Sequence, residues 1–75
     1  MARVLPIDLL AEGEKGRVVD IDGHQDVVMR LQEMGLKPGS QIRLIRSGSP
    51  CIVLVDERRL SFRTEQSAEI FVEIP

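Results

Sequence analysis

At 75 residues the chain suffices for one small domain, expected to bury only ~60–65% of its extended-chain surface. A 43% apolar share argues against disorder, and a net charge of −2 gives no electrostatic reason to expect nucleic acid. With no run of about 18 apolar residues, no basic-then-apolar leader and one cysteine, Cys51, the expectation is a single cytoplasmic domain over residues 1–75.

In chain order, Ile7, Leu9 and Leu10 offer an apolar anchor, and Pro6 or Asp8 opens a short helical turn. Gly13 and Gly16 bracket a charged surface turn. The β-branched stretch Arg17 to Ile21 is the first strand, with Val19 and Ile21 on one face and Val18 on the other. Asp22 and Gln25, three apart, form a capping box that starts a helix. Val27, Leu31 and Met34 follow at spacings of four and three, with Val28 beside them, so one helix face is apolar. Asp26 and Arg30, four apart with the acid first, add about 0.3 kcal/mol.

The most informative stretch is LQEMGLKPGSQIRLI, Leu31 to Ile45. Gly35 sits where a left-handed residue ends a helix, and Leu36 is then placed to pack back on Leu31. Pro38 and Gly39 supply a fixed φ followed by a residue tolerant of positive φ, the chemistry of a type II turn. Beyond the turn, Ile42 and Leu44 alternate with Gln41 and Arg43 as a strand.

Ser47 to Pro50 is a turn cluster leading into Cys51 to Val55, a segment apolar on both faces. That pattern suits a central strand, or one whose outer face a partner covers. Asp56 to Arg58 is a tight connection, after which Leu60 and Phe62 point inward and Arg59, Ser61 and Arg63 outward. Thr64 to Ala68 makes a short turn with Thr64 as its cap. A final strand alternates Ile70, Val72 and Ile74 against Glu69, Phe71 and Glu73. The fold expected is mainly β: a small, partly closed barrel of about five strands, with one helix between the first and second.

These residues carry a resemblance over Leu5 to Ile74. The chain resembles the FeoA family, small cytosolic proteins with an SH3-like barrel associated with bacterial ferrous iron uptake. The specific segments are LQEMGLKPGS, Leu31 to Ser40, and RLSFRTEQSAEI, Arg59 to Ile70, with LPIDLL and GRVVDI in support. Between the second and third strands, family members often carry a longer apolar loop where this chain has only RSGSPC. The resemblance implies an accessory role on the cytosolic parts of FeoB, a membrane permease for ferrous iron. It also implies an alternative, because a similar barrel forms the C-terminal domain of iron-dependent repressors, where it contributes to metal sensing.

Chemistry in the sequence is sparse. One histidine, no tyrosine and no nucleophile paired with a base argue against an enzyme. His24, Asp22 and Cys51 are weak metal candidates, sufficient at most for loose divalent binding, and no cofactor or small-molecule ligand is implied. From Arg43 to Arg63 five cations (Arg43, Arg46, Arg58, Arg59, Arg63) face two anions (Asp56, Glu57), a mild basic side suited to an acidic partner surface. Val53, Val55 and Phe71 are read as a second, apolar patch, rimmed by Met34, Leu36 and Lys37. A nucleic-acid reading is disfavoured by the acidity and by only two aromatic residues, Phe62 and Phe71. Gly35→Val is expected to be among the most damaging single changes.

Overall fold

Alternation in the apolar segments becomes the inward rows of one antiparallel sheet. The computed structural model describes residues 2–48, 50–63 and 68–75. Among the described residues the strands are β1 (Arg3–Pro6), β2 (Lys15–Gly23), β3 (Gln41–Arg46), β4 (Cys51–Val55), β5 (Arg58–Phe62) and β6 (Ala68–Ile74), with an α-helix, α1 (Gln25–Glu33), between β2 and β3. The sheet runs β1-β6-β2-β3-β4-β5, so β1 and β5 lie at its two ends and the barrel is not fully closed.

The core is the inner face of this sheet, closed by α1 and the 3-10 turn at Ile7–Leu9. Val18, Leu36, Leu44, Cys51, Val53 and Val72 lose all contact with solvent. The final strand behaves as its alternation requires, with Ile70, Val72 and Ile74 all buried. Ile7 and Leu10 are buried too, whereas Leu9, expected to share in the anchor, is 67% exposed.

Three departures from the sequence expectations have identifiable causes. The segment before the 3-10 turn is a strand, β1, because Arg3 to Pro6 pair with Ile74 to Phe71 along β6; six strands are described instead of about five. Lys15 and Gly16, expected in a loop, begin β2. There Gly16 lets the strands approach closely, since a Cβ would lie 3.2 Å from the Glu73 carbonyl oxygen. Val18 and Ile21 both face the core because the register shifts between Val18 and Asp20, a bulge that leaves Val19 as the extra residue.

The N-cap of helix α1 is His24, not Asp22, and its side chain makes no capping hydrogen bond. Asp26 and Arg30 are exposed and form no ion pair with each other. The helix stop is built as expected. Leu36 N–H donates to the Leu31 carbonyl at 2.9 Å and Gly35 N–H to the Gln32 carbonyl at 3.0 Å, the paired bonds of a Schellman motif, with Gly35 at φ +102°. Ser40 N–H closes the Pro38-Gly39 turn onto the Lys37 carbonyl at 2.9 Å, and Gly39 has φ +98°. The turn is fastened to β2: Gly39 N–H donates to the Val18 carbonyl at 2.7 Å and Val18 N–H to the Ser40 carbonyl at 2.8 Å. The turn expected over Thr64 to Ala68 lies outside the described residues, except for Ala68, which opens β6.

Candidate protein-binding surface

Directly opposed residues on paired strands share a sheet face, so the register identifies what the outer face presents. One row crosses four strands: Lys15 on β2 opposes Arg43 on β3, Arg43 opposes Leu54 on β4, and Leu54 opposes Arg59 on β5. The next row carries Arg46, Ile52 and Ser61. Arg46 belongs there only because of a second bulge. Ile42 and Leu44 point inward, and simple alternation would send Arg46 inward as well. The register shift between Leu44 and Arg46 turns it outward beside Ile52.

The arginines and Lys15 are exposed, while Ile52 and Leu54 are half-buried between them. Among the described residues, Lys15, Arg43, Arg46 and Arg59 make no ion pair. Arg17 does: its guanidinium donates to Glu73 across β2 and β6 at 2.6 Å, in an exposed setting where such a pair contributes about 0–1 kcal/mol. A groove of about 900 Å³ opens beside Arg43 and Leu54, with Lys15 and Arg17 on one side and Asp56 and Glu57 at the β4–β5 corner.

Arg43 and Arg63, both counted on the basic side, are not on adjacent strands. β4 intervenes, Arg59 is the residue in line with Arg43, and Arg63 follows the end of β5. Val53 and Val55, read as outward, are 0% and 1% exposed, because in this register Cys51, Val53 and Val55 fill the core and Ile52 and Leu54 face out. Leu36 likewise is 0% exposed, held inside by the Schellman motif, so it cannot form a rim. Met34 is half-buried and Lys37 exposed at the helix stop. Phe71 is half-buried and points outward in a row with Pro6 and Asp20, on the β1–β6 half of the sheet, away from the arginines. Sequence reasoning missed Lys15, Ile52 and Leu54; the signal for the two aliphatic residues was present in a strand apolar on both faces, whereas Lys15 was read as part of a loop.

The weak metal candidates are not assembled. Among the described residues no three side chains of His, Cys, Asp or Glu gather to hold an ion. Cys51 is fully buried, whereas Asp22 and His24 are exposed at the end of β2 and the helix entrance. Burial pushes the Cys51 thiol above its ordinary pKa, and the negative charge of Asp8 pushes it further, so at neutral pH the sulfur stays protonated and unreactive.

Comparison with known proteins places this geometry. The family model described as the FeoA domain matches residues 5–74, nearly the whole chain. The chain belongs to the FeoA family. Its fold superposes on a crystal structure of the iron uptake regulatory protein FeoA with a TM-score of 0.83 and 30% identity, covering 93% of this chain and 96% of that one. IdeR of T. acidophilum matches at a TM-score of 0.78 and 25% identity over 92% of this chain, but only 34% of its own length. The solution structure of iron(II) transport protein A from Clostridium thermocellum shares the fold at a TM-score of 0.74 and 18% identity, over 88% of this chain and 45% of that one. No curated protein matches in sequence. The FeoA-type fold is thus an SH3-like barrel, and among the described residues no helix is long and apolar enough to cross a membrane.

Proposed function

We propose that this FeoA-family chain is a non-catalytic, cytoplasmic accessory protein of ferrous iron uptake that binds cytosolic parts of a FeoB-type permease and modulates its transport. The observation that carries this reading is the match to the iron uptake regulatory protein FeoA, which is near full-length on both chains. The sheet's outer face supports it, since exposed cations around half-buried aliphatic residues suit a protein surface better than a substrate pocket. Cross-linking in intact membranes that contain the permease is expected to recover a one-to-one adduct, and its consistent absence would refute the reading.

A second reading is supported by the likeness to part of IdeR: a metal-responsive regulatory domain, with an ion held near His24 and Asp22. Anaerobic titration with Fe(II) and then Zn(II), following backbone amide shifts, separates the two. Saturable shifts centred on His24 and Asp22 at micromolar metal favour the sensor. A spectrum unmoved by metal but altered by the permease favours the accessory protein.

A further inference from the structure

The outer face contains an electrostatic conflict that the fold itself does not require. Lys15 and Arg43 are directly opposed across β2 and β3, and like charges in that position destabilise a sheet. Neither has a counter-ion among the described residues, although Glu73 lies in the neighbouring row and satisfies Arg17 instead. Arg59 continues the same row beyond Leu54, and the β3 bulge brings Arg46 to the same face. A local rule broken without compensation inside the molecule is the signature of a surface completed by something else.

We infer that the outer face of β2-β3-β4-β5 docks an acidic protein segment, whose carboxylates pair with Arg43 and Arg59 and whose apolar side chain between them seats on Leu54 and Ile52. This rests on the accessory reading above and names the chemistry of the partner's contact. The spacing fits a helix laid across the strands. Arg43, Leu54 and Arg59 are successive positions at a strand spacing of ~4.8 Å, and helix residues four apart lie about 6 Å apart. Carboxylate, aliphatic and carboxylate groups at successive four-residue intervals span about 10–12 Å, against about 9.6 Å from Arg43 to Arg59, a difference within reach of the long arginine side chains.

Other polyanions fit less well. The chain is net acidic, and Asp56 and Glu57 stand at the edge of this face, where an extended phosphate array or an anionic bilayer would meet them. Both phenylalanines are half-buried, Phe62 on the inward row beside Cys51, so this face offers no stacking platform for bases. The aliphatic pair Ile52 and Leu54 also asks for an apolar side chain that a phosphate backbone lacks.

The test uses the full chain and a fluorescent helical peptide bearing Glu, Leu and Glu at successive four-residue spacings. Single-stranded RNA and phosphatidylserine vesicles serve as competing polyanions, and cross-linking to the permease is run in parallel. The peptide is expected to bind with an affinity that falls as salt rises. The R43E/R59E pair of reversals is expected to weaken it at least about tenfold, while R30E, a charge reversal on α1, leaves it unchanged. A further readout separates docking from simple structural roles: R43E relieves the repulsion with Lys15, so its thermal midpoint should rise while binding falls. Loss of both the peptide and the permease adduct in R43E/R59E supports the inference. Peptide binding without any permease adduct supports this face and refutes the permease reading. An adduct undiminished in R43E/R59E overturns the face while leaving the permease reading intact. Preference for RNA or vesicles over the peptide also overturns it.

Discussion

At the scale of single residues, Cys51 and Gly35 show how environment decides behaviour. The Cys51 thiol is raised first by burial and then by Asp8, so the folded state holds its proton more tightly than the unfolded chain does. The resulting stability is fully present below the ordinary thiol value of 9.0 and is lost as pH rises from there toward the folded-state value. Denaturation midpoints should therefore fall more steeply above about pH 9 in the wild type than in Cys51→Ala; parallel pH profiles would contradict this. The same burial predicts that a thiol reagent labels Cys51 only as fast as the protein opens. At Gly35 the penalty is conformational, because a Cβ would meet its nearest neighbours, Arg58 and Val55, at ordinary contact distances of 3.6 and 3.7 Å. Gly35→Ala is expected to cost about 1–2 kcal/mol from the positive φ alone, and Gly35→Val more, read as lower urea midpoints with an unchanged slope.

At the scale of elements, the β4–β5 hairpin contains the next strained feature. Val55 pairs with Arg58, so Asp56 and Glu57 alone form the loop, and their φ values of 49° and 68° are those of a type I′ turn. Replacing them together, Asp56→Asn and Glu57→Gly, is expected to stabilise by about 1 kcal/mol, which in a domain this small raises the thermal midpoint by about 4–8 °C. An unchanged midpoint would mean that Glu57 adopts its turn conformation without cost. In the Leu31–Ser40 bend, Ser40 Oγ donates to the Gly35 carbonyl at 2.7 Å, so Ser40→Ala should cost about 1 kcal/mol. This bend was legible in the sequence because Gly, Pro and apolar spacing act locally, and its hydrogen bonds follow from those residues. Strand β1 was not, since Arg3 to Pro6 become a strand only by pairing with β6, some seventy residues away in sequence. Bulges escaped for a related reason. Strict alternation put Val18 opposite Ile21 and gave no hint that Arg46 would turn outward, because a bulge is decided by the partner strand's register. The inversion of β4 came from a segment apolar at every position, where alternation alone does not say which set faces in.

At the scale of the whole molecule, a net acidic chain concentrates cations without ion pairs among the described residues on the part of its sheet where Ile52 and Leu54 lie half-buried. The expected arginine side was therefore visible as composition, while its arrangement needed the strand order, which inserts β4 between Arg43 and Arg59 and adds Lys15 from β2. Such a face gains little for the isolated fold and costs some repulsion, which is the balance that the proposed docking role calls for. The most direct measurement is Fe(II) flux into proteoliposomes containing the permease, with this protein titrated on the permease's cytosolic side. The prediction is a saturable change in flux that R43E/R59E reduces; flux that stays constant up to saturating protein would contradict the accessory role.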